Sequence, residues 1–265
     1  MHPYLFRVGR VAIGAYGTML AFAFVVGVFF ARRQARRAGI SASKMTHMLI
    51  WAIISGLMGA RGLYVLLNWE SGDLLSMVNP MDPAGFGRGG LIFYGGLLAG
   101  LAVGFGYMRI YHMPVWKTAD AFAPSIALGI FLVRIGCFLS GCCFGKPSEM
   151  AWAISFPEHS PAGYVFPHTP LHPTQLYASL YGLTIFVLLL FLERFRRFDG
   201  FTFWLFIMLY SMARFLVDFV RYYETSMVMF ELKGISLVFN QGISVLLFVV
   251  AGATLLVLRR QAALK

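Results

Sequence analysis

Hydrophobic residues in this chain come in long uninterrupted runs, separated by short polar intervals, with no clean alternation and no narrow helical stripe. Seven runs, roughly 11–30, 47–67, 90–110, 119–138, 174–192, 201–219 and 240–258, each come near the ~20 residues that carry a helix across a hydrocarbon layer. A helix that is apolar all round needs lipid or a large core around it, and so many in one chain favour lipid. The pattern predicts an all-α integral membrane protein with about seven transmembrane helices, forming one polytopic domain over residues 1–265. Asp120, Pro124 and Arg134 interrupt the fourth run, the weakest of the seven. The first run passes into Arg32-Arg33-Gln34-Ala35-Arg36-Arg37 without a cleavage-type site, which reads as a retained anchor rather than a removed leader.

The longer polar intervals fall near 68–89, 139–173 and 220–239. The middle one is rich in Pro and Gly, with Lys146-Pro147-Ser148-Glu149 followed by Pro157-Glu158-His159-Ser160-Pro161-Ala162-Gly163. Loops of that length without evident secondary structure are often functional.

Composition agrees with a membrane span count, since only 12% of residues are charged against roughly 25% in a soluble domain. The net charge of +11 raises the question of nucleic acid, but its distribution answers it. Thirteen of the 22 Lys and Arg lie in the intervals around 32–44, 109–117, 194–197 and 259–265, all on one side of a seven-span topology. The positive-inside rule then places the N-terminus outside and the C-terminus in the cytoplasm, and no nucleic-acid partner is needed. Three cysteines, Cys137, Cys142 and Cys143, make no disulfide framework, and adjacent Cys142 and Cys143 are poorly placed to bond to each other.

Three arginines, Arg61, Arg134 and Arg214, remain inside or at the ends of spans. Each costs at least ~2.5 kcal/mol at a helix centre, so each is either snorkelling, paired to a buried acid, or functional. Three on separate helices favour a shared anionic ligand. Arg134 opens Arg134-Ile135-Gly136-Cys137-Phe138-Leu139-Ser140-Gly141-Cys142-Cys143-Phe144-Gly145, where guanidinium and backbone N–H groups suit a phosphate, although the glycines fit helix packing and a tight turn equally well. In Gly89-Gly90-Leu91-Ile92-Phe93-Tyr94-Gly95-Gly96 the glycines allow close backbone approach and Tyr94 offers a hydroxyl; a glycine-rich helix start is the alternative. His172-Pro173-Thr174-Gln175-Leu176-Tyr177 opens the fifth span, with His172 either a base or a hydrogen-bonded structural residue. Arg214 and Asp218 share a helix face, as an ion pair or as a substrate-binding arginine with its orienting acid, and Arg221 follows one turn on. Tyr16, in Gly14-Ala15-Tyr16-Gly17, is a further polar aromatic near a span end. The six histidines are scattered and no zinc-type spacing occurs, so a catalytic metal is not expected.

At these residues the chain resembles the bacterial phosphatidylglycerol–prolipoprotein diacylglyceryl transferases. The resemblance runs through Tyr16-Gly17, Gly59-Ala60-Arg61-Gly62-Leu63-Tyr64-Val65, the Gly89–Gly96 segment, Arg134-Ile135-Gly136-Cys137-Phe138, His172–Tyr177 and Arg214-Phe215-Leu216-Val217-Asp218-Phe219-Val220-Arg221. It implies transfer of the diacylglyceryl group of phosphatidylglycerol to the lipobox cysteine of a preprolipoprotein, giving a thioether and glycerol 1-phosphate. The implied setting is the outer half of the bacterial cytoplasmic membrane, with membrane lipid around the chain and no cofactor. It further implies catalytic parts for Arg134, Arg214, Tyr94, Tyr16 and Asp218, and phosphatidylglycerol contacts from Arg134, Arg61, Gly145, Gln175 and Arg221. Tyr94 stands where the best-known branch has His, and Cys137 and Cys142 stand where it has Asn and Glu, so the acceptor of the thiol proton stays open. Two rivals are an intramembrane serine protease using Ser140 with His172, which lacks Gly-x-Ser-Gly because residue 138 is Phe, and an anion transporter, which lacks a visible internal repeat.

Overall fold

The computed structural model describes residues 4–8, 11–68, 92–223, 228–232 and 235–263. Most of the expected loop near 68–89, with Arg88, Gly89 and Gly90, lies outside the described residues, as does Lys233. Among the described residues, seven helices are long and apolar enough to cross a membrane. These are α1 (Ala15–Arg37), α2 (Ala42–Leu67), α3 (Phe93–Ile110), α4 (Val115–Ser140), α6 (Thr174–Leu192), α7 (Phe201–Asp218) and α8 (Phe239–Ala263); a short α5 (Pro161–Val165) lies between α4 and α6. The chain is a multi-pass membrane protein.

The spans match the all-α expectation, and two short hairpins accompany them. Antiparallel hairpins form at β1 (Tyr4–Val8) with β2 (Val11–Gly14), and at β3 (Val228–Leu232) with β4 (Ile235–Val238). The first span accordingly starts at Ala15 rather than near 11, and it runs on through Arg37, whose last turn carries basic side chains that suit a helix C-terminus.

The chain divides into two compact units, residues 32–118 and residues 1–31 with 119–265. In the unit 32–118, Ser41 caps α2 by accepting the Lys44 N–H at 3.4 Å. Helices α2 and α3 approach through small residues, the usual membrane solution. A Cβ on Gly95 would lie 2.6 Å from the Leu63 Cβ, and one on Gly96 would lie 2.9 Å from the Gly56 carbonyl oxygen. The Ile92 N–H donates to Ala60 O at 3.0 Å, fixing where α3 begins.

In the second unit, α4, α6 and α7 enclose a core of Ala123, Ala127, Ile185, Leu189, Leu205 and Phe206. Gly182 lets α6 meet α4, since a Cβ there would stand 2.9 Å from the Phe131 nitrogen, and Ser179 donates to Phe131 O at 3.0 Å. The interruptions in the fourth run prove compatible with a continuous helix over Val115–Ser140. Asp120 is buried, and its carboxylate accepts the N–H groups of Gly200 (2.7 Å) and Phe203 (2.9 Å) at the start of α7, with Arg196 3.3 Å away. An acid there satisfies helix N-terminal donors and meets the positive end of the helix dipole.

The expected irregular loop 139–173 is built around its own small core of Phe144, Phe156, Ala162 and Leu171, with Tyr222 packed against it. Single bridges pair Pro147 and Ile154 with Leu171, and Ser160 caps α5 by accepting the Gly163 N–H at 3.1 Å. Scattered prolines hide such a core from periodicity, because its apolar residues meet only after the chain folds back on itself.

Candidate active site

Arg134 lies one and a half turns before the end of α4, half-buried. Two residues on, Gly136 lets this helix meet α1: a Cβ there would fall 2.8 Å from the Met19 Cβ and 3.4 Å from the Tyr16 Cα. Tyr16 is therefore brought beside this part of α4, within electrostatic reach of Arg134 and the three cysteines. Past Ser140 the chain turns through two left-handed residues, Gly141 (φ 70°) and Cys143 (φ 61°). At Gly141 a side chain is excluded by Ser160, whose Cβ would be 2.7 Å from the added atom.

The start of α6 holds this turn. Thr174 donates to Cys143 O and the buried Gln175 donates through Nε2 to Cys142 O, both at 2.8 Å. Gly145 gives its N–H to His172 O at 3.0 Å and bridges to Arg221, while Lys146 donates to Val220 O at 2.9 Å. Glycine is required at 145 because a Cβ would lie 2.5 Å from that of His172 and 2.8 Å from Val220 O. Close chain approach, rather than free backbone donors, is thus what Gly145 supplies, and it ties Arg221 to the loop. His172 takes the structural alternative: its Nδ1 is 3.3 Å from the Tyr177 hydroxyl, which accepts from Trp152 Nε1 at 2.7 Å. Burial lowers the His172 pKa from its ordinary value. Among the described residues no hydrogen bond joins it to Ser140, so the protease dyad is not assembled.

On α7, Arg214 Nη2 stands 3.3 Å from Asp218 Oδ1 and donates to the Tyr223 hydroxyl at 2.7 Å. That hydroxyl donates to Asp218 Oδ1 at 2.8 Å and accepts from Asn240 Nδ2 of α8 at 3.3 Å. Tyr223 therefore links arginine, acid and amide through one oxygen. Sequence reasoning missed both Tyr223 and Asn240; the signal available was a tyrosine two residues beyond Arg221 and an amide opening the last span. Asp218 is 3% exposed, and the charges acting on it come from Arg214, Arg221 and Arg134. Tyr181, on α6, feels Arg134, Arg214 and Asp218.

Arg214, in contact with Asp218, and the more distant Arg221 and Arg134 thus all act on one carboxylate, a formal excess of two positive charges. Among the described residues Arg134 makes no hydrogen bond or ion pair, and Arg214 Nη1, Asp218 Oδ2 and Tyr181 Oη are buried without a partner. A buried polar atom left unpaired costs about 1–3 kcal/mol, more when charged, so these groups have hydrogen-bonding capacity to offer a polar ligand. The surplus charge calls for an anion.

The three thiols border this cluster, with their sulfurs all within 4.8 Å of one another and none in a disulfide. The neighbouring Cys137 and Cys142 thiols lower the Cys143 pKa from its ordinary value, and Arg221 and Arg134 act in the same direction. Cys142, whose thiol donates to Cys137 O at 3.7 Å, is pushed up by its neighbouring thiols and by burial.

Two expected residues belong to the unit 32–118. Tyr94 is the second residue of α3, half-exposed, with its ring edge-on to Phe93 at 5.9 Å. Its neighbours Gly95 and Gly96 pack against α2, so for them helix packing is the reading that holds. Arg61 lies over the Tyr64 ring at 5.3 Å, a cation–π contact.

Comparison with known proteins places these features in a family. The sequence model of the prolipoprotein diacylglyceryl transferases matches residues 3–258. A phosphatidylglycerol–prolipoprotein diacylglyceryl transferase of Clostridium tetani is 30% identical over 229 residues, covering 83% of this chain and 86% of the relative. Its counterpart from Acaryochloris marina is 31% identical over 223 residues, covering 83% and 79%. That of Thermotoga maritima is 30% identical over 222 residues, covering 82% and 74%. The chain belongs to the prolipoprotein diacylglyceryl transferase family, a family of transferases.

Proposed function

We propose that this protein transfers the diacylglyceryl group of phosphatidylglycerol to the lipobox cysteine thiol of preprolipoproteins, at the outer half of a bacterial cytoplasmic membrane. The observation that carries the reading is the Arg214–Asp218–Tyr223 network, with Arg214 Nη1 unpartnered and Arg221 and Arg134 acting on the same carboxylate. In the reaction the cysteine sulfur forms a bond to the glyceryl carbon, and that carbon's bond to the phosphate oxygen breaks. The electron pair leaves with glycerol 1-phosphate, whose extra negative charge two surplus guanidiniums offset as it develops. Asp218 and Tyr223 orient Arg214; Gly145 and Gln175 act by holding Arg221 and the Cys142–Cys143 turn where the lipid phosphate binds. Tyr16 lies in the field of Arg134 and is read as a donor to the reacting lipid. For Arg61 and Tyr94 the motifs alone support the reading, as a further phosphate contact and an auxiliary hydroxyl donor that does not take the thiol proton. The arginine field lowers the pKa of the incoming thiol, so no strong side-chain base is required.

Positive-inside charge supports an outer N-terminus and a cytoplasmic C-terminus, and residues 1–265 are read as one membrane domain. The test is an assay of purified protein with phosphatidylglycerol and a lipobox peptide. Peptide lipidation with release of glycerol phosphate is expected; folded protein that yields neither product sinks the assignment.

A further inference from the structure

The thiol groups of Cys137, Cys142 and Cys143 have no part in the mechanism above, which uses only the backbone of the Cys142–Cys143 turn, yet their sulfurs lie within 4.8 Å of one another. They are also held in place. Cys137 is 4% exposed in the last turns of α4, and Thr174 and Gln175 pin the carbonyls of the other two. Three sulfurs around a metal at about 2.3 Å stand about 4 Å apart, so the separations here need contraction by less than about 1 Å, within reach of small side-chain rotations.

Three properties narrow the ligand. Thiolates select soft metals. Among the described residues no His, Asp or Glu joins the group as a fourth ligand, which disfavours the tetrahedral closure that Zn²⁺ prefers. Third, three thiolates with one monovalent cation carry a formal charge of −2, and two guanidiniums, Arg221 and Arg134, act on this site. We propose that Cys137, Cys142 and Cys143 form a three-thiolate site for a soft monovalent d¹⁰ cation of the Cu(I) or Ag(I) class. Binding exchanges the S–H protons for metal–sulfur bonds and releases them to solvent, with no change of oxidation state. That binding does not depend on the reading of the lipid reaction. An occupied site turns the field of Arg134 and Arg221 toward the thiolates, so inhibition of lipid transfer is a consequence that does rest on it.

The test uses the full-length protein, reduced, in detergent and without oxygen, titrated with Cu(I) as its acetonitrile complex against a chromophoric Cu(I) chelator. One equivalent per chain is expected, with an X-ray absorption shell of three sulfurs near about 2.3 Å and Zn²⁺ held at least roughly a hundredfold more weakly. Cys142→Ser with Cys143→Ser, and separately Cys137→Ala, each lower Cu(I) affinity by roughly tenfold or more while elution stays monodisperse. The proposal is overturned if wild-type protein binds Cu(I) no more tightly than these variants. It is equally overturned if the metal shell contains two sulfurs or fewer, or if Zn²⁺ binds as tightly as Cu(I). Loss of binding without loss of inhibition by Cu(I) leaves the site standing and refutes the link to lipid transfer.

Discussion

Replacing Tyr223 with Phe removes a single oxygen and tests whether the network around Arg214 positions the guanidinium or merely stabilises the helix ends. The hydroxyl makes two charge-assisted hydrogen bonds, accepting from Arg214 at 2.7 Å and donating to Asp218 at 2.8 Å. Bonds of that kind contribute about 1.5–3 kcal/mol each, and the phenyl ring returns nothing to either partner. Part of the loss is recovered, because Arg214 and Asp218 already stand 3.3 Å apart and can close on each other. That closure turns the guanidinium toward the acid and away from the lipid phosphate. A net loss of about 2 kcal/mol is expected, which as transition-state stabilisation is roughly a 30-fold fall in kcat/KM. The assay is peptide lipidation by folded protein, with thermal unfolding in detergent followed in parallel. Tyr222→Phe is the neighbouring control: its ring stacks on Phe144 at 5.5 Å, its hydroxyl has no hydrogen bond among the described residues, and it should stay within about twofold. If Tyr223→Phe lowers thermal stability while the folded enzyme keeps wild-type kcat/KM, the positioning role is refuted and the network is structural only.

Arg134→Ala and Arg214→Ala should each abolish transfer in the same assay, whereas Arg109→Ala, on an exposed guanidinium resting on Phe105, should retain it. Tyr94→Phe should keep most of its activity, because the arginine field and not this hydroxyl is taken to ease thiol deprotonation; lost transfer with intact lipid binding would overturn that. Gly95→Ala forces a Cβ to within 2.6 Å of Leu63 and should cost about 1–3 kcal/mol, read as a lower unfolding temperature in detergent, while Gly104→Ala, with open space at its Cβ, should not. Asp120→Ala strips the start of α7 of its acceptor and should destabilise by about 2 kcal/mol with specific activity of the folded fraction preserved.

The spans were legible because a bilayer imposes a length and a composition that survive without any tertiary information. Residues 174–192 and 201–218 show it best, where apolar runs and helices coincide almost to the residue. Arg134 and Arg214 were legible for the same reason, since a charge inside such a run has a cost that demands an explanation. Other assignments needed the fold. Whether glycine meant ligand or packing depended on which helix lay opposite: Gly95 faces α2 and Gly136 faces α1. Asp120 looked like an interruption until the N-terminus of α7 arrived to use it. Tyr223 lies in a polar stretch that carries no periodic signal, and only the packing of α8 along α7 brings the Asn240 amide, at the start of the last span, to the Tyr223 hydroxyl that bonds Arg214. A sequence records what each residue costs in its solvent; which neighbours offset that cost is settled by contacts between segments far apart in the chain, and those exist only once the helices have packed.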